Sequence, residues 1–176
     1  VLLPAAEIYD QIRQARHEGS PQSADIAQMF QYFGWQSGSD WVAPVMAFWL
    51  KYPGEPARLL DFLRALDRLS IALRILGYGV DKRAQRLAAV IVAVRSGQQL
   101  AEDSGPFALS RDELRTVMFN LRDLYSRSQQ TCKLVLMRLN DRLLGAAQGL
   151  DPADYTVEHV LPLKPGPLSL WRNWFP

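Results

Sequence analysis

The hydrophobic pattern along the chain is dominated by the three-and-four spacing of helices. It is clearest over residues 57–76, where apolar residues repeat on one side and charged residues occupy the other: Leu59, Phe62, Leu63, Leu66, Leu69, Leu73 and Leu76 against Asp61, Arg64, Asp67 and Arg68. An amphipathic helix buries such a stripe against the core. Gly77 follows directly, and glycine commonly ends a helix. The spacing therefore predicts a helix over residues 57–76.

Further helices are predicted on both sides of this one. Three short helices precede it, and their start signals are Pro4, Ser23 or Asp25, and Asp40. One helix follows from about Asp81, with an apolar stripe of Leu87, Val90, Ile91 and Val94. We expect residues 1–150 to form a helical domain, a mainly α multi-helix bundle of about seven helices.

The sharpest helix start is the capping box Ser110-Arg111-Asp112-Glu113. In this motif the serine hydroxyl accepts from the amide of Glu113, and the Glu113 carboxylate accepts from the amide of Ser110. The helix is expected to run to about Tyr125. A longer helix from about Gln129 is predicted to end at Gly149 and to turn one stripe inward: Cys132, Val135, Leu136, Leu139 and Leu143.

The C-terminal end of the chain departs from helical periodicity. Asp151-Pro152 predicts a turn, and the run Tyr155-Thr156-Val157-Glu158-His159-Val160-Leu161 has the β-branched and aromatic residues of a strand. Pro162 would end it. We therefore expect a short strand segment at the C-terminal end.

Composition narrows the class of protein. The chain has 176 residues, of which 48% are hydrophobic and 22% are charged, so it can bury a core and is not of the disordered class. Its longest apolar run, residues 42–50, is far shorter than the roughly 20 residues that span a bilayer. The single Cys132 excludes an internal disulfide framework. We expect a cytoplasmic protein with no membrane partner.

Charge and aromatic residues are unevenly distributed. Residues 57–100 hold eight Lys/Arg against three Asp/Glu, whereas residues 1–56 hold three against six. The basic centre could attract phosphate, but solvated helix faces with intrahelical partners are the favoured interpretation. Nine of the 18 aromatic residues lie between Tyr9 and Tyr52. We interpret them as core packing between short helices, with a partner surface as the alternative.

Most catalytic templates are excluded. Gly77-Tyr78-Gly79 lacks the third glycine of a dinucleotide fingerprint and follows a helix. Cys132 has no histidine near it in sequence. His17 lies beside Glu18 in an acidic helix and is expected at the surface. What remains is Glu158-His159 near a strand end, a carboxylate and an imidazole of the kinds that metal-assisted phosphodiester cleavage uses. By itself such a pair is more often structural.

A resemblance to a known family favours a functional role for this pair. The run Thr156-Val157-Glu158-His159-Val160-Leu161-Pro162, followed by Trp171 and Phe175-Pro176, resembles the opening motif of the HNH (His-Me finger) nuclease domain in GmrSD-type modification-dependent restriction enzymes. Residues 69–86 and 134–144 are similar to the helical region of that family. The resemblance implies restriction or phage defence by a metal-dependent DNA endonuclease, with His159 as the catalytic general base and Glu158 as a metal-site residue.

The resemblance also implies partners, a cofactor and missing parts. It implies DNA, Mg²⁺ or Mn²⁺, and an N-terminal nucleotide-hydrolysing domain in the same or a companion chain; a homo-oligomer is possible. Residues 151–176 would be the N-terminal part of an HNH motif. The central Asn and a later metal-binding residue would follow Pro176, so we expect the chain alone to be inactive and to bind no metal. The alternative is a non-enzymatic helical interaction or regulatory module.

Overall fold

Helices make up the regular structure of the residues that the structure describes. The computed structural model describes residues 2–98, 100, 104–144, 151–158 and 166–174. Its helices, in chain order, are α1 (Leu2–Arg13), α2 (Ser23–Gly34), α3 (Val42–Lys51), α4 (Pro56–Ile75), α5 (Val80–Ser96), α6 (Arg111–Leu121), α7 (Leu124–Arg127), α8 (Gln129–Leu144) and α9 (Trp171–Trp174). Short 3₁₀ turns lie at Gly105–Phe107 and Pro152–Asp154. The prediction of a mainly α fold is confirmed.

The predicted C-terminal strand is not present where the structure describes it. Residues 155–158 have no strand pairing, and residues 159–161 lie outside the described residues. A strand forms only when its backbone groups bond to a neighbouring strand, and the described part of the chain contains no strand to pair with. A β-branched composition alone is therefore not enough to form a strand at residues 155–158.

Helix α4 lies at the centre of the core. Its stripe is buried as predicted from Leu59 to Leu73, and Leu63, Leu66 and Leu73 have no exposed surface, whereas Leu76 is half-buried. Aromatic residues from the N-terminal third pack against it and against each other: the Phe48 and Phe62 rings stack at 4.1 Å, centroid to centroid. The interpretation as core is confirmed for seven of the nine aromatic residues, which are buried in the core or packed against it, whereas Tyr9 is exposed. None of the described helices is long and apolar enough to cross a membrane.

Two glycines end the two central helices. Gly77 after α4 has φ +73°, and Gly97 after α5 has φ +74°. Both are in the left-handed region, which glycine enters without a steric penalty. The stop predicted at Gly77 is therefore confirmed in its geometry.

Several central arginines connect different helices. Arg83 Nε donates to Asp40 Oδ2 at 2.8 Å, and Arg74 Nη2 lies 3.7 Å from Asp40 Oδ1. Arg86 Nη2 donates to the carbonyl of Ala108 at 2.7 Å. The expectation of intrahelical partners is wrong for these three residues, because the loops around Asp40 and Ala108 bring acceptors from distant sequence positions.

The stripe predicted for α8 is also wrong. The buried residues are Thr131, Leu134, Met137 and Asp141. Leu136, Leu139 and Leu143 are instead exposed, by 46%, 52% and 77%. Helix α8 carries apolar residues on two opposite sides, so spacing alone does not select the inner one. Contacts of Arg138 and Asp141 with α2 and α4 fix the orientation that forms.

The capping box at the start of α6 forms as predicted. The Ser110 hydroxyl accepts from the Glu113 amide at 3.1 Å, and Glu113 Oε2 accepts from the Ser110 amide at 2.8 Å. Glu113 also lies 3.9 Å from Arg86. The box thus satisfies two backbone amides and connects α6 to α5.

Replacing Ser110 by alanine is expected to lower the free energy of unfolding by about 1 kcal/mol. Urea denaturation measures the change. Ser104→Ala is the matched control, because the Ser104 side chain makes no cap hydrogen bond at its 3₁₀ turn. Equal effects of the two substitutions would contradict a stabilising box.

Candidate functional site

Helix α8 contacts the segment that leads to Glu158. Lys133 Nζ donates to the carbonyls of Pro152 at 2.6 Å and Tyr155 at 2.9 Å. Asp151 caps the intervening 3₁₀ turn, since its Oδ1 accepts from the Ala153 amide at 2.8 Å. One ammonium group thus fixes two carbonyls just before Glu158. Lys133 could not be predicted from the sequence, because its role depends on where the segment folds back.

Of the two proposed site residues, the structure describes Glu158. Its side chain is exposed, and Oε1 accepts from the Thr156 hydroxyl at 3.0 Å. This contact within the motif orients one carboxylate oxygen and leaves the other open to solvent or a ligand. His159 lies outside the described residues. The prediction that His159 is a general base therefore stays a prediction.

The described residues supply one part of a divalent metal site. Carboxylate oxygen is the donor that Mg²⁺ and Mn²⁺ prefer, so Glu158 is chemically suitable. Among the described residues there is no group of three or more His, Cys, Asp or Glu side chains that could hold a metal ion. One carboxylate does not hold such an ion alone, so the described donor set is insufficient.

A larger feature that we did not predict is a groove bordered by α2, α4, α6 and α8. It encloses about 830 Å³. Its lining includes a polar cluster of five residues, Gln28, Tyr32, Asp67, Arg138 and Asp141. The Tyr32 hydroxyl donates to Asp141 Oδ2 at 2.9 Å and accepts from Gln28 Nε2 at 2.9 Å. Arg138 Nη1 donates to Asp67 Oδ2 at 2.5 Å.

Burial changes the pKa values of Asp67 and Tyr32 in this polar cluster. It raises the pKa of the Asp67 carboxyl, and Arg138 opposes the rise. It also raises the pKa of the Tyr32 hydroxyl, helped by the hydrogen bond to Asp141. Asp141 is 4% exposed, and its Oδ1 has no hydrogen-bond partner among the described residues. The cluster thus adds buried polar and charged contacts to the apolar packing between three helices.

A pattern in α8 could have indicated the polar cluster. Arg138 and Asp141 follow the apolar residues Leu134 and Met137 at a spacing of four, so all four lie on one side of the helix. Polar residues among buried apolar ones predict a buried pair, but the partner Asp67 looks like a solvated residue of α4. Sequence spacing does not relate residues on different helices.

The other residues considered for chemistry have structural surroundings. His17 is half-buried rather than at the surface: Nδ1 lies 3.1 Å from the Ser23 hydroxyl, and the ring packs 5.4 Å from Trp49. Burial lowers the pKa of His17. Cys132 is also half-buried, and burial raises the pKa of its thiol, which disfavours the reactive thiolate.

Comparison with known proteins adds no relative. No protein-family model matches the chain, and neither the curated proteins nor the solved structures contain a match.

Proposed function

We propose that the chain is part of a metal-dependent DNA endonuclease of HNH type, in which a helical domain leads into the first segment of the nuclease centre. The observation that carries the proposal is the sequence Thr156-Val157-Glu158-His159-Val160-Leu161-Pro162. The placement of its first residues supports it, since Lys133 anchors the preceding segment and the Glu158 carboxylate is exposed. A reacting group must be both held and accessible.

The roles of the two residues follow from their chemistry. In the intact protein His159 would take a proton from the attacking water, as a neutral imidazole does at physiological pH. Glu158 would contribute carboxylate oxygen to a site for Mg²⁺ or Mn²⁺. When bound, such an ion stabilises negative charge on the phosphate being cleaved. The motif would pair as a short strand with the later part of the finger.

The proposal includes partners and a location. DNA is the substrate, in restriction or phage defence in the cytoplasm, and a nucleotide-hydrolysing domain acts with the helical domain. Arg74, Arg83 and Arg138 are unsuitable for phosphate contact, because their side chains are largely buried in inter-helix contacts. Any DNA contact by this chain would use other basic residues.

The metal requirement gives a direct experiment on Glu158. In the intact protein, Glu158→Gln is expected to raise the Mg²⁺ concentration for half-maximal DNA cleavage by at least about tenfold. Chelation by EDTA abolishes cleavage, and Mn²⁺ restores it. Asp154→Asn, which neutralises an exposed acid nearby, is the control and leaves the metal response unchanged. An unaltered metal response in Glu158→Gln contradicts the role given to this carboxylate.

The alternative is a non-enzymatic helical interaction or regulatory module. In its first form, the aromatic N-terminal third would bind a partner. Phe30, Phe33, Trp41 and Phe48 are at most 6% exposed, so these rings are not available as a surface. These four rings therefore cannot form the partner surface, whereas Tyr9 in the same third of the chain is 46% exposed.

A further inference from the structure

Helix α6 has most of its apolar residues on the outside, whereas Val117 is half-buried. Met118 is 65% exposed, Phe119 62% and Leu114 45%. Among the residues that the structure describes in α6, Asn120 alone is buried. An amphipathic helix normally turns its apolar stripe to the core, whereas α6 turns most of its apolar side chains to solvent.

Polar contacts fix this orientation. The Asn120 side chain donates through Nδ2 to the carbonyl of Ile75 at 2.8 Å. At the other end of the helix, Tyr78 Oη donates to Glu113 Oε1 at 3.4 Å, and Arg86 lies 3.9 Å from Glu113. Both ends of α6 are thus attached to the body by hydrogen bonds or charge. The exposed stripe is therefore a consequence of specific contacts.

The exposed residues form one continuous surface. Six residues at helical spacing line a single shallow depression, which we call the α6 outer face: Arg111, Leu114, Arg115, Met118, Phe119 and Arg122. From first to last it extends along about 16 Å of helix. Apolar residues occupy its centre, and arginines lie at both ends.

This composition is typical of a protein–protein interface. Aromatic residues, Met and Arg are enriched at such interfaces, whereas Lys, Asp, Glu, Ser and Ala are depleted. The α6 outer face contains Phe, Met, Leu and three Arg, and no residue of the depleted types. A face that bound only phosphate backbone would not need the exposed Met118 and Phe119.

The charges specify the partner. Arg111 and Arg122 have no ion-pair partner in the described part of the chain, and Arg115 has only an exposed contact with Asp112 at 3.3 Å. A fourth cation, Arg127, lies 5.5 Å from the centre of the Phe119 ring. A second copy meeting this face would bring arginines against arginines. An acidic surface would be attracted instead.

We infer that the α6 outer face binds an acidic amphipathic helix of a partner protein. The apolar stripe of the partner covers Leu114, Met118 and Phe119, and its carboxylates pair with the arginines at both ends. Helices laid against one another in this way contact through residues at i, i+3, i+4 and i+7, which is the spacing of the face. The inference does not rest on the proposed nuclease function.

The probe is a designed helical peptide with leucines at i, i+4 and i+7 and glutamates on both flanks. Its binding to the 176-residue chain is followed by fluorescence anisotropy, beside the same peptide with lysine in place of glutamate. The acidic peptide is expected to bind at least about tenfold more tightly. The triple variant Arg111→Glu, Arg115→Glu, Arg122→Glu reverses this preference.

Variants in the apolar centre test the position of binding. Phe119→Gln is expected to weaken the acidic peptide by about tenfold, as loss of a central aromatic contact does. Leu139→Gln is the matched control, because Leu139 is similarly exposed on α8 outside the face. It leaves binding unchanged, and melting curves verify that all variants fold.

Four results would overturn the inference. The first two are equal binding of the two peptides and no effect of Phe119→Gln on binding. The third is a dimer of the chain that Phe119→Gln dissociates, and the fourth is binding of anionic lipid vesicles or a DNA duplex that depends on Phe119 and is not displaced by the acidic peptide. The last two would assign the face to a second copy or to a different class of partner.

Discussion

Replacing Arg138 by methionine is expected to lower the free energy of unfolding by about 3–5 kcal/mol. Arg138 pairs with Asp67 at 2.5 Å, and the two side chains are only 14% and 16% exposed. Methionine keeps most of the side-chain length but leaves Asp67 as a buried carboxylate without its cation. An uncompensated buried charge is among the few single changes that destabilise a domain this strongly.

The pH dependence of this loss follows from Asp67. Burial raises the pKa of its carboxyl, so the native protein binds that proton more tightly than the unfolded chain does. The stabilisation that comes from binding this proton is fully present at low pH. It is lost as the pH rises through the pKa of Asp67 in the folded protein. Removing Arg138 raises this pKa further. We therefore expect a larger loss of stability at about pH 7 than at about pH 4.5.

Two further variants separate the buried pair from a general charge effect. Arg115→Met removes an exposed arginine whose pair with Asp112 at 3.3 Å is 79% and 87% exposed, and we expect no measurable change in stability. Adding Asp67→Asn to Arg138→Met is expected to recover part of the loss. Urea denaturation of the four proteins measures these differences. A small, pH-independent effect of Arg138→Met would show that the pair does not hold α8 on α4.

The sequence was sufficient for the parts of the fold that depend on local spacing. The stripe on α4, the stop at Gly77 and the capping box at Ser110 all involve residues within a few positions of each other, so spacing determines them. Tertiary contacts decided the rest. Helix α8 has two apolar sides, and a pair with distant Asp67 selects the inner one.

The candidate site also combines local features, which the sequence predicts, with features that depend on tertiary contacts. Glu158 and its contact with Thr156 are local, because the two residues are two positions apart in the sequence. Lys133, which anchors the segment before the motif, could not be predicted because the contact joins residues 22 positions apart. The outward orientation of α6 was also unpredictable, since Asn120 looks like a solvated residue until its bond to Ile75 is known.

Replacing His159 by alanine in the intact protein is expected to reduce DNA cleavage by about 100- to 10,000-fold. This is the range lost when a general base is removed from a reaction that water would otherwise perform. We expect the melting temperature to stay close to that of the parent protein. Free imidazole should restore part of the rate, because it can take the proton that His159 would take; a purely structural role of His159 would give no such rescue.

The proposed role of His159 in metal-dependent DNA cleavage has a direct test. The rate of Mg²⁺- or Mn²⁺-dependent DNA cleavage is measured side by side for the intact protein and its His159→Ala variant. His17→Ala is the control, since it removes the other histidine of the chain. We expect cleavage by the parent and by His17→Ala, and near-complete loss in folded His159→Ala. Equal cleavage by His159→Ala and the parent, or no cleavage by the parent with either metal, would contradict the proposed role.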